Sequence, residues 1–263
     1  MTQVQSTDFG MVGLGLRREM LGELLEHVPN QVDFLEVAPE NWLKLGGRFK
    51  KQFKTLTDAN NFVCHGLSLS IGSPEPLDVE FVKSLKVFFE EHNIKIYSEH
   101  LSYCSGTGHM YDLMPIPFTP DAIAHVVPRI KQVQDILEQQ ITILEQADCK
   151  LLLDVNNIYV NSINHGYNAQ AFLTGLPSNR IAYGHVAGHY NEADDLIVDT
   201  HGADVIDPVW KLLDKAYEVH GVFPTLLERD FNIPTMDVLT KELDIIHELQ
   251  AKHITSTFSK QRA

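Results

Sequence analysis

Short apolar runs, each leading to a polar or charged residue, recur along the whole chain. Phe62-Val63-Cys64 leads to His65, residues 94–97 toward His100, 151–153 to Asp154, 181–184 to His185 and 225–227 to Glu228. Runs this short and this rich in Val, Ile, Leu and aromatics predict buried strands. Strands are predicted at 11–16, 32–38, 62–70, 94–102, 141–145, 150–155, 181–187 and 225–229. Helices are predicted at 17–28, 41–59, 78–92, 119–139, 168–176, 207–220 and 235–253. Asp78, Thr119-Pro120 and Asp207-Pro208 supply a cap residue or a proline at a first turn. Such alternation predicts an α/β fold, a (β/α)8 barrel in one domain spanning 1–263, with its active site on the C-terminal rim of the strands.

One place breaks the pattern. The runs 141–145 and 150–154 both read as buried strands, yet only Gln146–Cys149 lies between them. Parallel neighbours need a crossover of about a dozen residues. Either one run is not a strand, or the helix between strands five and six is missing from this chain, or residues 145 and 146 are not true neighbours and a stretch between them is absent. If residues 145 and 146 are consecutive, their Cα atoms must lie about 3.8 Å apart.

Composition narrows the function. With 263 residues, 44% of them hydrophobic, the chain can bury a large core. A net charge of −14 argues against nucleic acid as partner. Three cysteines (Cys64, Cys104, Cys149) do not make a disulfide framework. The first residues carry no signal-peptide pattern, and no apolar run approaches the roughly 18 residues of a membrane span. The expectation is a cytoplasmic protein that does not enter membranes. Of the 13 histidines, His27, His92, His220, His247 and His253 fall near the ends of predicted helices, where a cationic ring suits the helix dipole.

The remaining acids and histidines carry the candidate chemistry. His65 opens a Gly-bearing segment, although a buried histidine satisfied by a carbonyl would look the same. Glu99 and His100 point to opposite faces of a strand, so only one faces the interior. His100 is the candidate ligand, and Glu99 either orients a ring or is solvated. Asp154 ends an apolar run, where a lone carboxylate is costly unless a cation or hydrogen bonds compensate; it could also cap a following turn. His185 and His189 stand four apart, with His189 already in a loop. Asp199 and His201 would share one face at strand spacing and could chelate. Glu228 closes the set. About eight such ligands exceed one tetrahedral zinc, and carboxylates with imidazoles but no thiolate suit iron, manganese or several zinc ions.

The segments His-Gly-Leu-Ser-Leu-Ser-Ile-Gly (65–72), Glu-His-Leu-Ser-Tyr (99–103), Leu-Asp-Val-Asn-Asn-Ile-Tyr-Val-Asn (153–161), His-Val-Ala-Gly-His (185–189), Asp-Thr-His-Gly (199–202) and Asp-Pro-Val-Trp (207–210) resemble, in order, the multinuclear non-haem iron-dependent oxidative enzymes, the family of methanobactin biosynthesis protein B. The resemblance runs from about Gly13 to Pro234. It implies a xylose isomerase-like TIM barrel that binds two or three irons and, with dioxygen, oxidatively modifies cysteine or another residue of a ribosomally made precursor peptide. A small partner protein would recruit that peptide. His65 and His100 would hold one iron, and Asp154, His185, Asp199, His201 and Glu228 the others. Glu145 matches the family's bridging glutamate, but the rest of its motif is absent. Asn157 stands where some members have a further histidine, and Glu36 and Asn41 match positions near the metals. Manganese or zinc could replace iron in a crystal. The alternatives are a divalent-metal isomerase or endonuclease-like hydrolase on the same barrel, and a non-catalytic metal-binding protein.

Overall fold

The computed structural model describes residues 9–105, 109–117, 119–139, 141–142 and 149–260. Strands and helices alternate along them. In order come β1 (Val12–Gly15), α1 (Leu21–Glu26), β2 (Phe34–Val37), α2 (Gly47–Ala59), β3 (Asn61–Gly66), α3 (Val79–His92) and β4 (Tyr97–Glu99). A hairpin of β5 (Ser102–Ser105) and β6 (His109–Pro115) precedes α4 (Pro120–Leu137) and β7 (Ile141–Thr142). Then follow β8 (Leu151–Asp154), α5 (Val155–His165), α6 (Ala169–Thr174) and β9 (Ile181–Ala187). A second hairpin, β10 (Tyr190–Ala193) with β11 (Leu196–Val198), leads to α7 (Asp207–His220), β12 (Thr225–Glu228) and α8 (Met236–Lys260). Among the described residues, no helix is long and apolar enough to cross a membrane, and the buried Cys64, Cys104 and Cys149 form no disulfide.

The chain divides into two compact units, Met1–Leu35 with Leu152–Ala263, and Glu36–Leu151. In the first, the strand order is β1-β12-β9-β8. β12 pairs in parallel with β1 (Leu14 opposite Leu227) and with β9 (Leu226 opposite His185). Strands covered on both faces must be apolar on both, which is why 225–227 and 181–183 read as unbroken runs. The Asp33 carboxylate accepts from the Met11 and Val12 amides (2.8 and 3.0 Å) and ties the start of β1. In the second unit the order is β7-β4-β3-β2, with β4 parallel to both β3 and β7. Its helices meet over an aromatic stack of Trp42 on Phe53 (4.2 Å) and Phe53 with Phe88 (5.9 Å).

The predicted boundaries needed correction in several places. The predicted helix 41–59 begins at Gly47, after a short 3-10 turn at Pro39–Asn41, because two adjacent glycines cannot carry a helix start further back. The strand predicted at 62–70 ends at Gly66, where Glu40 Oε1 captures the amides of Leu67 and Ser68 (2.9 Å each). The strand predicted at 94–102 is only Tyr97–Glu99. α5 was not foreseen: Val, Asn, Ile and Tyr are poor helix formers, but Asp154 caps the first turn by accepting from Asn157 N (2.9 Å). Both hairpins were missed as well.

Of the five histidines assigned to helix ends, His92 and His220 do lie in last turns, and His27 caps α1. His247 and His253 lie inside α8 instead. Their rings bond Gln31 O (2.9 Å) and Asp214 Oδ1 (2.7 Å), so tertiary partners hold them rather than the helix dipole. At the break in the pattern, β7 and β8 each end the strand order of their own unit. Among the described residues no helix separates them. Residues 143–148, which include Glu145 and the 145–146 junction, lie outside the described residues.

Gly184 marks the tightest point of β9. A Cβ there would lie 2.7 Å from the Phe223 ring and 2.8 Å from Leu153 O. Because a backbone oxygen in a parallel strand cannot step aside, Gly184→Ala is expected to cost about 2–3 kcal/mol, read as a lowered midpoint in urea unfolding.

Candidate metal centre

In the first unit, three strands and one loop bring acids and imidazoles together. Asp154 ends β8, His185 stands in β9 and Glu228 ends β12. His185 Nδ1 lies 3.0 Å from Glu228 Oε2. His201 Nδ1 lies 3.4 Å from the same oxygen and 3.2 Å from Asp230 Oδ2, while its Nε2 lies 2.8 Å from Asp199 Oδ1. Donor atoms of Asp154, His201 and Glu228 all fall within 4.8 Å of one another.

Asp199 and His201 do not share a strand, contrary to the expectation from their spacing. β11 ends at Val198, and His201 is held at φ +49°, a left-handed conformation that costs a residue with a side chain about 1 kcal/mol or more. That turn, rather than a pleat, brings the two side chains together.

The electrostatics of the group ask for a cation. Burial, together with Asp199 close by, pushes the Asp154 carboxyl above its ordinary range. Burial alone would also raise Glu228, but His201 and His185 outweigh it and hold the carboxyl well below the usual value. Burial works against a charged His201, yet Glu228, Asp199 and Asp230 outweigh it and raise the ring's affinity for a positive charge, whether a proton or a metal ion. His201 Nε2 is nonetheless buried without a hydrogen-bond partner, since Asp199 approaches without lying along the N–H direction. An imidazole nitrogen and a carboxylate oxygen that are close but misaligned fit two donors to one ion.

A layer of hydrogen bonds orients these groups. Asn157 donates to both oxygens of Asp154, from its backbone N (2.9 Å) and its Nδ2 (2.8 Å). Asn156 Nδ2 donates to Asp199 Oδ1 (2.7 Å), and Asn156 Oδ1 meets His189 Nδ1 (2.8 Å). Arg17 spans Glu228 Oε1 (3.1 Å) and Asp230 Oδ1 (2.8 Å from Nε). Arg229, between those two acids in sequence, points the other way along the pleat and pairs with Asp204 (2.7 Å) and Glu242 (3.2 Å).

The second unit holds a separate histidine pair. His65 in β3 and His100 after β4 face each other with Nε2 atoms 3.3 Å apart. His100 Nδ1 contacts Gly66 O (2.9 Å), which can only accept, so this nitrogen carries the proton and Nε2 carries a lone pair. His65 Nδ1 contacts Ser98 Oγ (2.7 Å), whose hydroxyl can donate to Cys64 O (3.3 Å). With the hydroxyl so turned, the two Nε2 atoms, 3.3 Å apart, each offer a lone pair. This is the arrangement of metal-ligating histidines anchored through their other nitrogen. Glu99 is buried rather than solvated: it accepts from Tyr97 Oη (2.6 Å) and His100 N (2.9 Å), and burial with Glu40 nearby pushes it up to about 8. Glu36 is buried in β2, and Asn41 is exposed in the turn that follows.

Five contributors escaped the sequence reading: Arg17, Glu40, Ser98, Asn156 and Asp230. Asp230 follows Glu228 by the strand period of two, a signal that was available. Arg17 lies more than 200 residues from the acids it grips, and nothing local marks it.

A family model described as "RiPP precursor modification enzyme MbnB/TglH/ChrH" matches residues 11–145 and 140–251. A UPF0276 protein of Shewanella loihica is 62% identical over 263 residues, covering 92% of this chain and 95% of the relative. One of Shewanella sediminis is 61% identical over 261 residues, covering 91% and 94%. Each match is longer than the share of this chain that it occupies, so these relatives hold positions with no counterpart here. The two family segments also meet at the place where the alternation of strands and helices breaks. Among solved structures, a xylose isomerase domain protein from Planctomyces limnophilus matches with a TM-score of 0.56 and 15% identity, over 93% of this chain and 98% of that one. The fold is therefore α/β, a xylose isomerase-like TIM barrel, and the chain belongs to the MbnB/TglH/ChrH family.

Proposed function

We propose that this protein is an iron-dependent oxidoreductase that uses dioxygen to modify a cysteine, or another residue, of a ribosomally made precursor peptide recruited by a small partner protein. The observation that supports it most is the meeting of Asp154, His185, Asp199, His201 and Glu228 in a chain whose family is described as modifying such precursors. These five would hold metal, and His65 with His100 would bind a further ion. Bound iron would supply the Lewis acidity and the redox relay through which dioxygen takes electrons from a thiol.

The protein's own groups prepare for that chemistry. Arg17 holds Glu228 Oε1, which leaves Oε2 turned toward His185 and His201. Asn157 and Asn156 fix the rotation of Asp154 and Asp199, so neither carboxylate needs to reorganise when charge develops. The His201 Nδ1 contact with Asp230, whose side chain is the more exposed, offers a proton an outward step.

The test combines metal analysis with peptide turnover. Protein purified anaerobically should contain iron, consume dioxygen with a cysteine-bearing precursor peptide, and change that peptide's mass. A colourless protein with zinc or magnesium, active without dioxygen, would establish a divalent-metal isomerase or hydrolase instead. Asp154→Ala and His185→Ala should each lose iron from the first-unit set, and full iron in both variants would refute the assignment. Ser98→Ala removes the anchor of His65 Nδ1 together with the hydroxyl's contact to Cys64 O. It should weaken metal affinity at the histidine pair by about 10–100-fold in a competitive chelator titration.

A further inference from the structure

The hairpin β10–β11 is built out of the candidate metal centre. His189 immediately precedes β10 and Asp199 immediately follows β11, and Asn156 bonds both side chains at the hairpin's base (2.8 and 2.7 Å). Ile197 is buried and anchors the inner face. The outer face shows Tyr190 (57% exposed), Leu196 (47%) and Val198 (42%) to solvent.

The two edges of this small sheet differ. On β11, Asn164 from α5 bonds both the backbone N and the carbonyl of Ile197 (2.8 Å each), so an asparagine takes the place of a further strand. Those groups of Ile197 point away from β10. Ile197 sits opposite Asn191, just before the register shift between Asn191 and Ala193, and in an antiparallel pair residues of this kind turn their N–H and C=O outward on both strands. The Asn191 amide and carbonyl therefore face the far edge of β10, where no described residue pairs with them. All four β10 residues are exposed. Residues 190–201 contain Glu192, Asp194, Asp195 and Asp199 but no lysine or arginine.

From these observations we propose that the edge of β10 captures an extended, basic segment of a peptide as a third strand, with Asn191 as its main-chain contact. Main-chain pairing accepts many sequences. Tyr190 offers an apolar neighbour to the incoming strand, and the acidic hairpin selects for lysine and arginine. An occupant held there runs alongside β10, whose first residue, Tyr190, directly follows His189. The inference deepens the peptide-modification reading and rests on it for the nature of the occupant.

Binding is measured on the full-length, metal-free protein, so failure of the iron assignment leaves this result untouched. The probe is a labelled peptide of alternating lysine and threonine, about ten residues long. Its control is a peptoid with the same charges and no amide hydrogens. The peptide should bind at low salt, and the peptoid should bind at least about tenfold more weakly. Asn191→Pro should cost a similar factor by removing the outward donor, whereas Asn191→Ala should bind like the unaltered chain. If the proline disturbs the hairpin, the peptoid comparison on the unaltered chain still decides. Equal binding of peptide and peptoid, or no binding of either, overturns the proposal. So does sedimentation showing that the chain pairs with itself and that Asn191→Pro abolishes the pairing, since a second copy would then own the edge.

Discussion

A carboxylate withdrawn from water must be compensated, and Glu228 is where this protein meets that demand. Its Oε1 is gripped by Arg17 and its Oε2 is shared by His185 and His201. Removing one partner from a buried ionic group costs about 3–5 kcal/mol, because the remaining charges lose their counterpart. The interaction is thus both structural and chemical. It ties β12 to the segment after β1 and to β9, and it leaves one oxygen shared by two imidazoles. The excess of acids over cations around it is a debt that a divalent ion is suited to settle.

The surroundings show how a parallel α/β framework makes such a group without strain in its strands. β8, β9 and β12 carry one residue each, at or near their C-terminal ends, and the pairing of β9 with β12 offsets His185 and Glu228 by two residues, so that both lie on one face. The cost falls on the loop, where His201 adopts a positive φ and Gly188 is so close to Ala203 O (2.0 Å from a would-be Cβ) that no side chain fits. Strain concentrated in a connecting loop beside regular strands is common at functional sites.

Much of this was legible in the sequence. The apolar runs marked most of the strands, and a polar or charged residue at a run's end marked His65, His100, Asp154, His185 and Glu228. Asp199 and His201 were nominated from their spacing, and the grouping of all seven into sets came only from the family resemblance. What escaped has physical causes. α5 is helical because Asp154 caps it, although its residues are poor helix formers. The hairpins are short and flanked by residues with their own partners, so period-two alternation had little length in which to show. Asn156 and Ser98 are ordinary polar residues whose roles arise only from what the fold sets beside them.

The sequence by itself determined the alternating architecture and the kind of donors on offer, because burial imposes periodicity and carboxylates tolerate burial only with compensation. Tertiary structure decided which donors meet. It turned His201 rather than a strand face toward Asp199, selected His100 by placing a carbonyl behind its ring, buried Glu99 against Tyr97, and brought Arg17 across more than 200 residues to Glu228. Such choices depend on distances of a few ångströms between segments far apart in the chain, and no local pattern of residues encodes them.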